Sequence, residues 1–297
     1  LLAGVLMVAP LPWSVRALAL PLALPLLLWR TPAPPVGEFE LIAADIGQGN
    51  AVLVRTAHHA LLYDAGPRYS LESDAGHRVL VPLLQALHIQ LDRVVLSHRD
   101  TDHVGGASAV LAMQAQADVL SSVDALNPVN DQRPIQRCVA GQSWVWEGVR
   151  LEVLHPQVQD YTPTARSNAL SCVLRISNSA GRSVLLAGDI EQAQEARLVD
   201  SGATLASDVL LVPHHGSKTS SSAEFLDAVQ PKVALVQSGY RNRFGHPAPS
   251  VVQRYRERDI MLIDSPHCGA FTWQSWQTQN GACERAQSQR YWQHRVP

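Results

Sequence analysis

This 297-residue chain has little net charge, few cysteines and no uninterrupted apolar run long enough to cross a membrane. Its 24 lysines and arginines nearly balance 26 aspartates and glutamates, leaving a formal charge of −2 and a pI near 6.7. That excludes a bulk polycation, so any nucleic-acid contact must be local. The four cysteines, Cys138, Cys172, Cys268 and Cys283, show no C-x-x-C spacing, which argues against a structural zinc site. Cys172 falls in an apolar strand pattern and is expected to pack as a small hydrophobe. Cys268 and Cys283 flank a hairpin around Phe271-Thr-Trp273 and either form a disulfide, in an oxidising compartment, or stay as free buried thiols. No internal repeat stands out.

Charge is scarcest in the first thirty positions, which hold only Arg16 and Arg30. A spanning helix needs about 20 apolar residues. Residues 17–29 offer thirteen, interrupted by Pro21 and Pro25, and residues 1–13 end at Pro10 and Pro12. A basic start and a clear small-residue cleavage site are both missing, which counts against a signal peptide. We read residues 1–30 as the end of the membrane domain of a longer protein, an unusual signal anchor being the alternative. Residues 31–37 then form a stiff proline-rich linker. Residues 38–275 read as a soluble domain with a sizeable core. Residues 276–297 form a basic tail with Arg285, Arg290 and Arg295 around Tyr291 and Trp292.

What is present is a concentration of ionisable groups, His98-Arg-Asp-Thr-Asp-His103, directly after the apolar run Arg93-Val-Val-Leu-Ser97. Imidazoles and carboxylates crowded at a buried strand end repel one another or lose solvation. A divalent metal relieves that conflict, because carboxylate oxygen and neutral imidazole nitrogen are its usual ligands. Other strand-like runs also end in polar clusters: Asp45 and Asp64 before Gly47 and Gly66, Gly188-Asp189, and His214-His-Gly-Ser217. His246 lies in a loop, where polar residues more often do chemistry than packing. Strands are expected over 40–46, 51–56, 60–63, 94–97, 150–154, 170–176, 183–187, 209–212, 233–236 and 261–263. Helices are expected over 79–88, 107–116, 192–201 and 222–229. Short strands mixed with helices predict a layered α/β domain, two sheets inside and helices outside.

Taken together, Asp45-Ile-Gly-Gln-Gly49, Asp64-Ala-Gly66, His98-x-Asp100-x-Asp102-His103, Gly188-Asp189 and His214-His-Gly-Ser217 resemble the metallo-β-lactamase superfamily. More narrowly they are similar to the C-terminal domain of the ComEC family of competence DNA-uptake membrane proteins, and the apolar start suits that family. The resemblance covers about residues 38–275. It implies a four-layer αββα metallo-β-lactamase-like sandwich preceded by an apolar membrane-associated segment, with the domain periplasmic on the cell inner membrane. It further implies two divalent metal ions. His98, Asp100 and Asp189 would hold one; Asp102, His103, Asp189 and either His214 or His215 the other, with Asp189 bridging. The second histidine of that pair would contact substrate or act as general acid. Asp64 and Asp45 would orient ligands from behind.

Three departures stand out. Position 100 is Asp where the superfamily has His; the extra carboxylate favours manganese, with zinc or magnesium possible. Asn168 and Ser171 occupy the stretch expected to carry a further histidine, while His155 reads as structural. Asn50 stands where the family often has Asp.

Such a site suits phosphodiester hydrolysis, in which positioning and charge neutralisation dominate. Asp102, His214, His215 and His246 are the candidate catalytic residues. Ser217, Lys218, Thr219, Ser220, Arg241, Asn242 and Arg243 are candidate phosphate contacts, and the basic tail could track a single strand. The expected activity is a metal-dependent nuclease attached to a membrane DNA-uptake channel, degrading the strand that is not imported. Its partners would be DNA, the channel domain of the same protein and other uptake components. The rivals are a small phosphodiester or phosphorylcholine-type esterase, which needs a closed pocket, and a non-catalytic DNA-binding module, which needs no metal.

Overall fold

The computed structural model describes residues 1–28, 31–123, 133–291 and 296. Arg30, Trp292 and Arg295, named above, lie outside them. The chain divides into two compact units, Leu1–Pro32 and Ala33–Pro297.

The smaller unit holds three short helices, Leu2–Val8, Trp13–Arg16 and Ala19–Leu28, the last with Pro25 inside it. Proline removes a backbone donor and its ring collides with the preceding turn, so continuous helices are cut short. No helix among the described residues is long and apolar enough to cross a membrane. Leu2, Val8, Trp13, Leu20 and Leu28 are exposed.

In the larger unit the first half supplies β1 (Glu40–Ala43), β2 (Val52–Arg55), β3 (Ala60–Tyr63), the hairpin β4 (Arg68–Ser70) and β5 (Ser73–Asp74), β6 (Arg93–Leu96), β7 (Asp118–Ser121) and β8 (Ile135–Arg137). The second half supplies β9 (Ser143–Trp146), β10 (Val149–His155), β11 (Val173–Ser177), β12 (Ser183–Leu186), β13 (Val209–Leu211), β14 (Val233–Val236) and β15 (Met261–Asp264). Finally β16 (Phe271–Gln274) and β17 (Ala282–Cys283) return to the first sheet. The sheet orders are β17-β16-β1-β2-β3-β6-β7-β8 and β15-β14-β13-β12-β11-β10-β9.

Side-chain alternation explains the layering. Leu41, Val52, Val54 and Tyr63 point into the core between the sheets, with Leu174, Leu186 and Leu211 from the other side. Their neighbours Ile42, Leu53 and Leu62 point outward, under the helical segments Gly76–Leu80, Val81–Ala86 and Ala107–Met113. Leu185, Leu210 and Ala234 face outward from the second sheet, under Gln192–Asp200, Ala223–Val229 and Pro249–Arg256. Both faces of each central strand are therefore covered, which is why these strands read as continuous apolar runs. The αββα sandwich expected from the sequence is the fold.

Two disulfides are present, Cys268–Cys283 and Cys138–Cys172. The first resolves the alternative left open above. The second corrects the expectation for Cys172: it is buried in the inter-sheet core, but its sulfur is bonded rather than free.

Parallel pairing positions the site. β3 with β6 and β12 with β13 run parallel, so the ends of these strands lie at one edge of each sheet. Asp64 follows β3, His98 follows β6, Asp189 follows β12, and His214–His215 follow β13. Open α/β sheets bind ligands beyond the carboxyl ends of their strands.

Candidate metal centre

Two groups of potential metal donors lie close together among the described residues: His98, His103 and Asp189, and Asp102, His103 and His215. Within each group one donor atom per residue lies within 4.8 Å of the others. His98, His103, His215 and Asp189 are at most 3% exposed. Four of their atoms, His98 Nε2, His103 Nε2, His215 Nε2 and Asp189 Oδ1, are buried without a hydrogen-bond partner. Buried polar atoms are normally paired, and leaving one unpaired costs about 1–3 kcal/mol. Four in one place describe a cradle for a cation.

The opposite nitrogen of each ring shows how the cradle is aimed. His103 Nδ1 donates to Asp64 Oδ2 at 2.8 Å. Asp64 also accepts from the Ser97 hydroxyl at 2.8 Å, and the same hydroxyl lies 3.0 Å from His98 Nδ1. With its own proton engaged by Asp64, that oxygen accepts the His98 Nδ1 proton. His215 Nδ1 donates to the Gln237 carbonyl at 2.9 Å. Each Nδ1 therefore carries the proton, and each Nε2 lone pair faces inward, the tautomer a metal ligand requires. The donor set fits divalent metals.

Electrostatics agree. Burial alone would raise Asp102, but His215, whose Nε2 approaches its carboxylate to 3.3 Å, and the His103 charge bring it down to about 2. Asp189 is likewise held well below the carboxylate range, His103 and His215 outweighing its burial. Burial disfavours protonated His103 and His215, yet Asp189 and its neighbouring carboxylates raise both. The cluster is built to surround positive charge.

The two adjacent histidines separate cleanly. Only His215 joins a donor group. His214 is partly exposed, with Nε2 3.4 Å from Asn168 Nδ2 and Nδ1 3.3 Å from Thr219 Oγ1. Both have left-handed backbones, φ 51° each, a conformation costing about 1–3 kcal/mol per non-glycine residue and persisting only where surroundings enforce it. His214 N donates to Gly188 O at 3.0 Å, and Ser220 Oγ donates to Pro213 O at 2.7 Å. Beyond them, Glu195 accepts the backbone N–H of Ser222 at 2.7 Å and that of Ser221 at 2.5 Å.

Other predicted residues fall elsewhere. Asp100 sits at the rim, its side chain 45% exposed and 3.6 Å from His98 Nε2, outside both donor groups. His98 foremost holds its carboxyl below the usual range. Asp45, expected behind the ligands, instead pairs with Arg285 at 2.9 Å, which also engages the first arginine of the tail. His246 stands at the rim, 5.8 Å from His214 between ring centroids. Asn242 spends its amide on its own loop, donating to Gly239 O and His246 O and accepting from His246 N. It thus fixes His246 instead of offering its amide to a ligand. Arg243 lies over Phe244 in a cleft that also meets Asp102, and Arg241 lies over Tyr240. Ser217 is buried with its hydroxyl 3.1 Å from Thr219 Oγ1, whereas Lys218 is exposed. His155 is buried, its Nε2 donating to Ala169 O at 2.9 Å.

Sequence reading missed Ser97 and Gln237. Ser97 is a small polar residue closing an apolar strand and carries no spacing signal. Gln237 follows β14, and besides holding His215 its amide accepts from Ala51 N and donates to Ala44 O. Gly49 serves the same edge: its φ is +132°, and a Cβ there would meet Asp102 O at 2.1 Å.

Comparison with known proteins agrees with this geometry. The chain is 36% identical over 261 residues to Competence protein ComA of Neisseria gonorrhoeae, covering 87% of this chain and 35% of that protein. It is 31% identical over 256 residues to ComE operon protein 3 of Bacillus subtilis, covering 78% of this chain and 32% of that one. The chain thus spans about a third of the length of these curated relatives. Among solved structures, the metallo-β-lactamase fold protein YhfI from Bacillus subtilis superposes with a TM-score of 0.50 at 13% identity, covering 80% of this chain and 99% of that one. CmlA, a diiron β-hydroxylase from Streptomyces venezuelae, gives 0.53 at 14% identity, covering 82% and 54%; both likenesses concern the fold alone. Residues 44–239 match the family model of the metallo-β-lactamase superfamily, and with the sandwich and its strand-end donors in place, this chain belongs to that superfamily.

Proposed function

We propose that the chain is a metal-dependent phosphodiesterase that cleaves DNA as part of a membrane DNA-uptake protein, degrading the strand that is not imported. The observation that carries the catalytic reading is the buried pair of donor groups with four inward-facing unpartnered atoms. His103 Nε2 has one lone pair and can serve one ion. Asp189 has two oxygens, Oδ1 3.3 Å from His103 Nε2 and Oδ2 3.5 Å from His215 Nε2 and 4.0 Å from His98 Nε2. It is therefore the residue able to bridge. His98 and Asp189, with Asp100 from the rim, would hold one ion; Asp102, His103, Asp189 and His215 would hold the other.

Divalent cations there would acidify the attacking water and offset the charge developing on the phosphoryl group. The protein's own residues do the rest. Asp64, Ser97 and Gln237 hold the three imidazoles in register. His214 and His246, on the rim, would hydrogen-bond a phosphoryl oxygen or protonate the leaving oxygen, and Arg243 would contact phosphate beside Asp102. With that sharing, one ion would meet one imidazole and two carboxylates, and the other two imidazoles and two carboxylates. The preference for manganese therefore rests on the oxygens of Asp100, Asp102 and the bridging Asp189; zinc and magnesium are the competitors.

Relatives that carry competence names support a role in DNA uptake. Two disulfides support an oxidising, periplasmic setting. The exposed apolar side chains of the first unit support attachment to a membrane domain.

The test is cleavage of single- and double-stranded DNA by the purified chain with manganese, magnesium or zinc, beside Asp102→Ala and Asp189→Ala. Each variant is expected to lose at least about a hundredfold to a thousandfold in rate and to bind less metal. Equal cleavage by all three proteins removes this mechanism. Metal bound with DNA untouched, but a small diester hydrolysed, selects the esterase. A wild type that binds no metal selects the non-catalytic module.

A further inference from the structure

Among the described residues, two clefts open onto the donor cluster. The first, about 490 Å³, is lined by Asp102, Arg68, Arg243, Tyr240 and Phe244. The second, about 320 Å³, opens on His98 and is lined by Arg99, Arg137, Tyr161 and Thr162. Each is large enough for a small-molecule-sized group. Because His98 lines one and Asp102 the other, they reach the cluster from two sides. Among the described residues, none of those lining the second cleft is acidic. Arg137, exposed on the edge strand β8, lies over the Tyr161 ring at 4.7 Å, and Tyr161 is fixed by donating to Cys138 O at 2.5 Å. A planar guanidinium held on an aromatic face loses less freedom when it meets a phosphate than one on a free stem.

A small diester needs only one cleft beside the reacting phosphorus. A polynucleotide continues on both sides of the scissile bond, and each side brings further phosphates. We propose that the cleft of Arg99, Arg137 and Tyr161 is a second subsite, holding the phosphate backbone of the nucleic-acid strand that runs past the scissile bond on the His98 side. This rests on the nuclease reading and deepens it: the substrate is a strand several nucleotides long, gripped on both sides of the centre.

Binding measured apart from cleavage tests it. Fluorescence anisotropy with labelled oligothymidylates of two, six and twelve nucleotides, in chelator, compares the wild type with Arg137→Ala and Arg137→Lys. Affinity of the wild type is expected to rise with length. Arg137→Ala is expected to bind the longer strands about tenfold more weakly and to lower the salt slope by about 0.7, the loss of one single-strand phosphate contact. Arg137→Lys keeps the charge and is expected to recover most of the slope, which a merely unfolded variant would not do. If Arg137→Ala binds every length with wild-type affinity and slope, the subsite is wrong while the DNA-cleavage assay still decides the nuclease reading. A wild type that binds no strand at any length overturns the subsite as well, and failure to cleave DNA then removes the reading beneath it.

Discussion

The two halves of the sandwich furnish the centre in different ways. In the first half, His98, Asp102 and His103 come from one short turn, and the two histidines are braced by side chains, Asp64 and Ser97, at the ends of neighbouring parallel strands. In the second, Asp189 and His215 come from the ends of separate strands. His215 is braced by a backbone carbonyl and by a loop held in left-handed conformations, with Glu195 beneath it. The first half braces its share of the site with side chains and the second with backbone groups, while left-handed backbone occurs in both, at Asp64 (φ 58°) as at His214 and His215. Left-handed backbone needs an enforcing tertiary structure, and so does a side-chain network whose partners, Asp64 and His103, lie 39 residues apart in sequence.

The largest effect should come from breaking the network. His103→Ala leaves Asp64 buried with one of its three hydrogen bonds gone and its ion-pair partner lost, and removing one partner of a buried pair costs about 3–5 kcal/mol; equilibrium urea unfolding measures it. A loss below about 1 kcal/mol would show that Asp64 relies on Ser97 alone. Next is Gly49→Ala, whose new Cβ would meet the Asp102 carbonyl at 2.1 Å from a residue at φ +132°. We expect about 2–3 kcal/mol of destabilisation and a fall in metal affinity, read by unfolding and by metal titration; wild-type behaviour would mean the loop yields freely.

The corresponding break in the second half is Glu195→Ala. It strands the N–H groups of Ser221 and Ser222 and should cost about 2 kcal/mol. Burial already pushes the Glu195 carboxyl up against those hydrogen bonds, so part of their benefit is cancelled, and the expected loss is smaller than for His103. A loss larger than that of His103→Ala would reverse the comparison. The smallest effect is a pH dependence. Burial lowers the His155 imidazole, so the unfolded chain binds its proton more readily than the folded one. Stability from this residue is present above about pH 6.5 and is lost as pH falls through that value towards the folded pKa. His155→Gln should flatten the stability slope below about pH 6.5, and an unchanged slope would assign the acid sensitivity elsewhere.

Apolar runs announced most of the central strands, because covering both sheet faces leaves a continuous hydrophobic stretch. The edges were harder to read. β9 alternates exposed and half-buried residues over four positions, and Pro249–Arg256 buries only Val251 and Tyr255, too little apolar content for a periodic signal. The same contrast holds at the site. His98, Asp102, His103, Asp189 and the His214–His215 pair were legible because ionisable residues at the ends of apolar runs are costly without a purpose. Ser97 and Gln237 were not, since a serine or glutamine at a strand end is ordinary until its partners are known.

By itself, the order of residues determined the αββα layering and which side chains gather at the strand ends, because strand alternation and burial cost are local properties. Only the tertiary structure decided that His215 enters the cluster while His214 stays on the rim, since both share a turn and differ in what the folded chain places opposite each ring. It also moved Asp100 to the rim, turned Asp45 to Arg285, and opened a second cleft beside His98. Each of those outcomes depends on contacts between residues far apart in the chain, which no local pattern records.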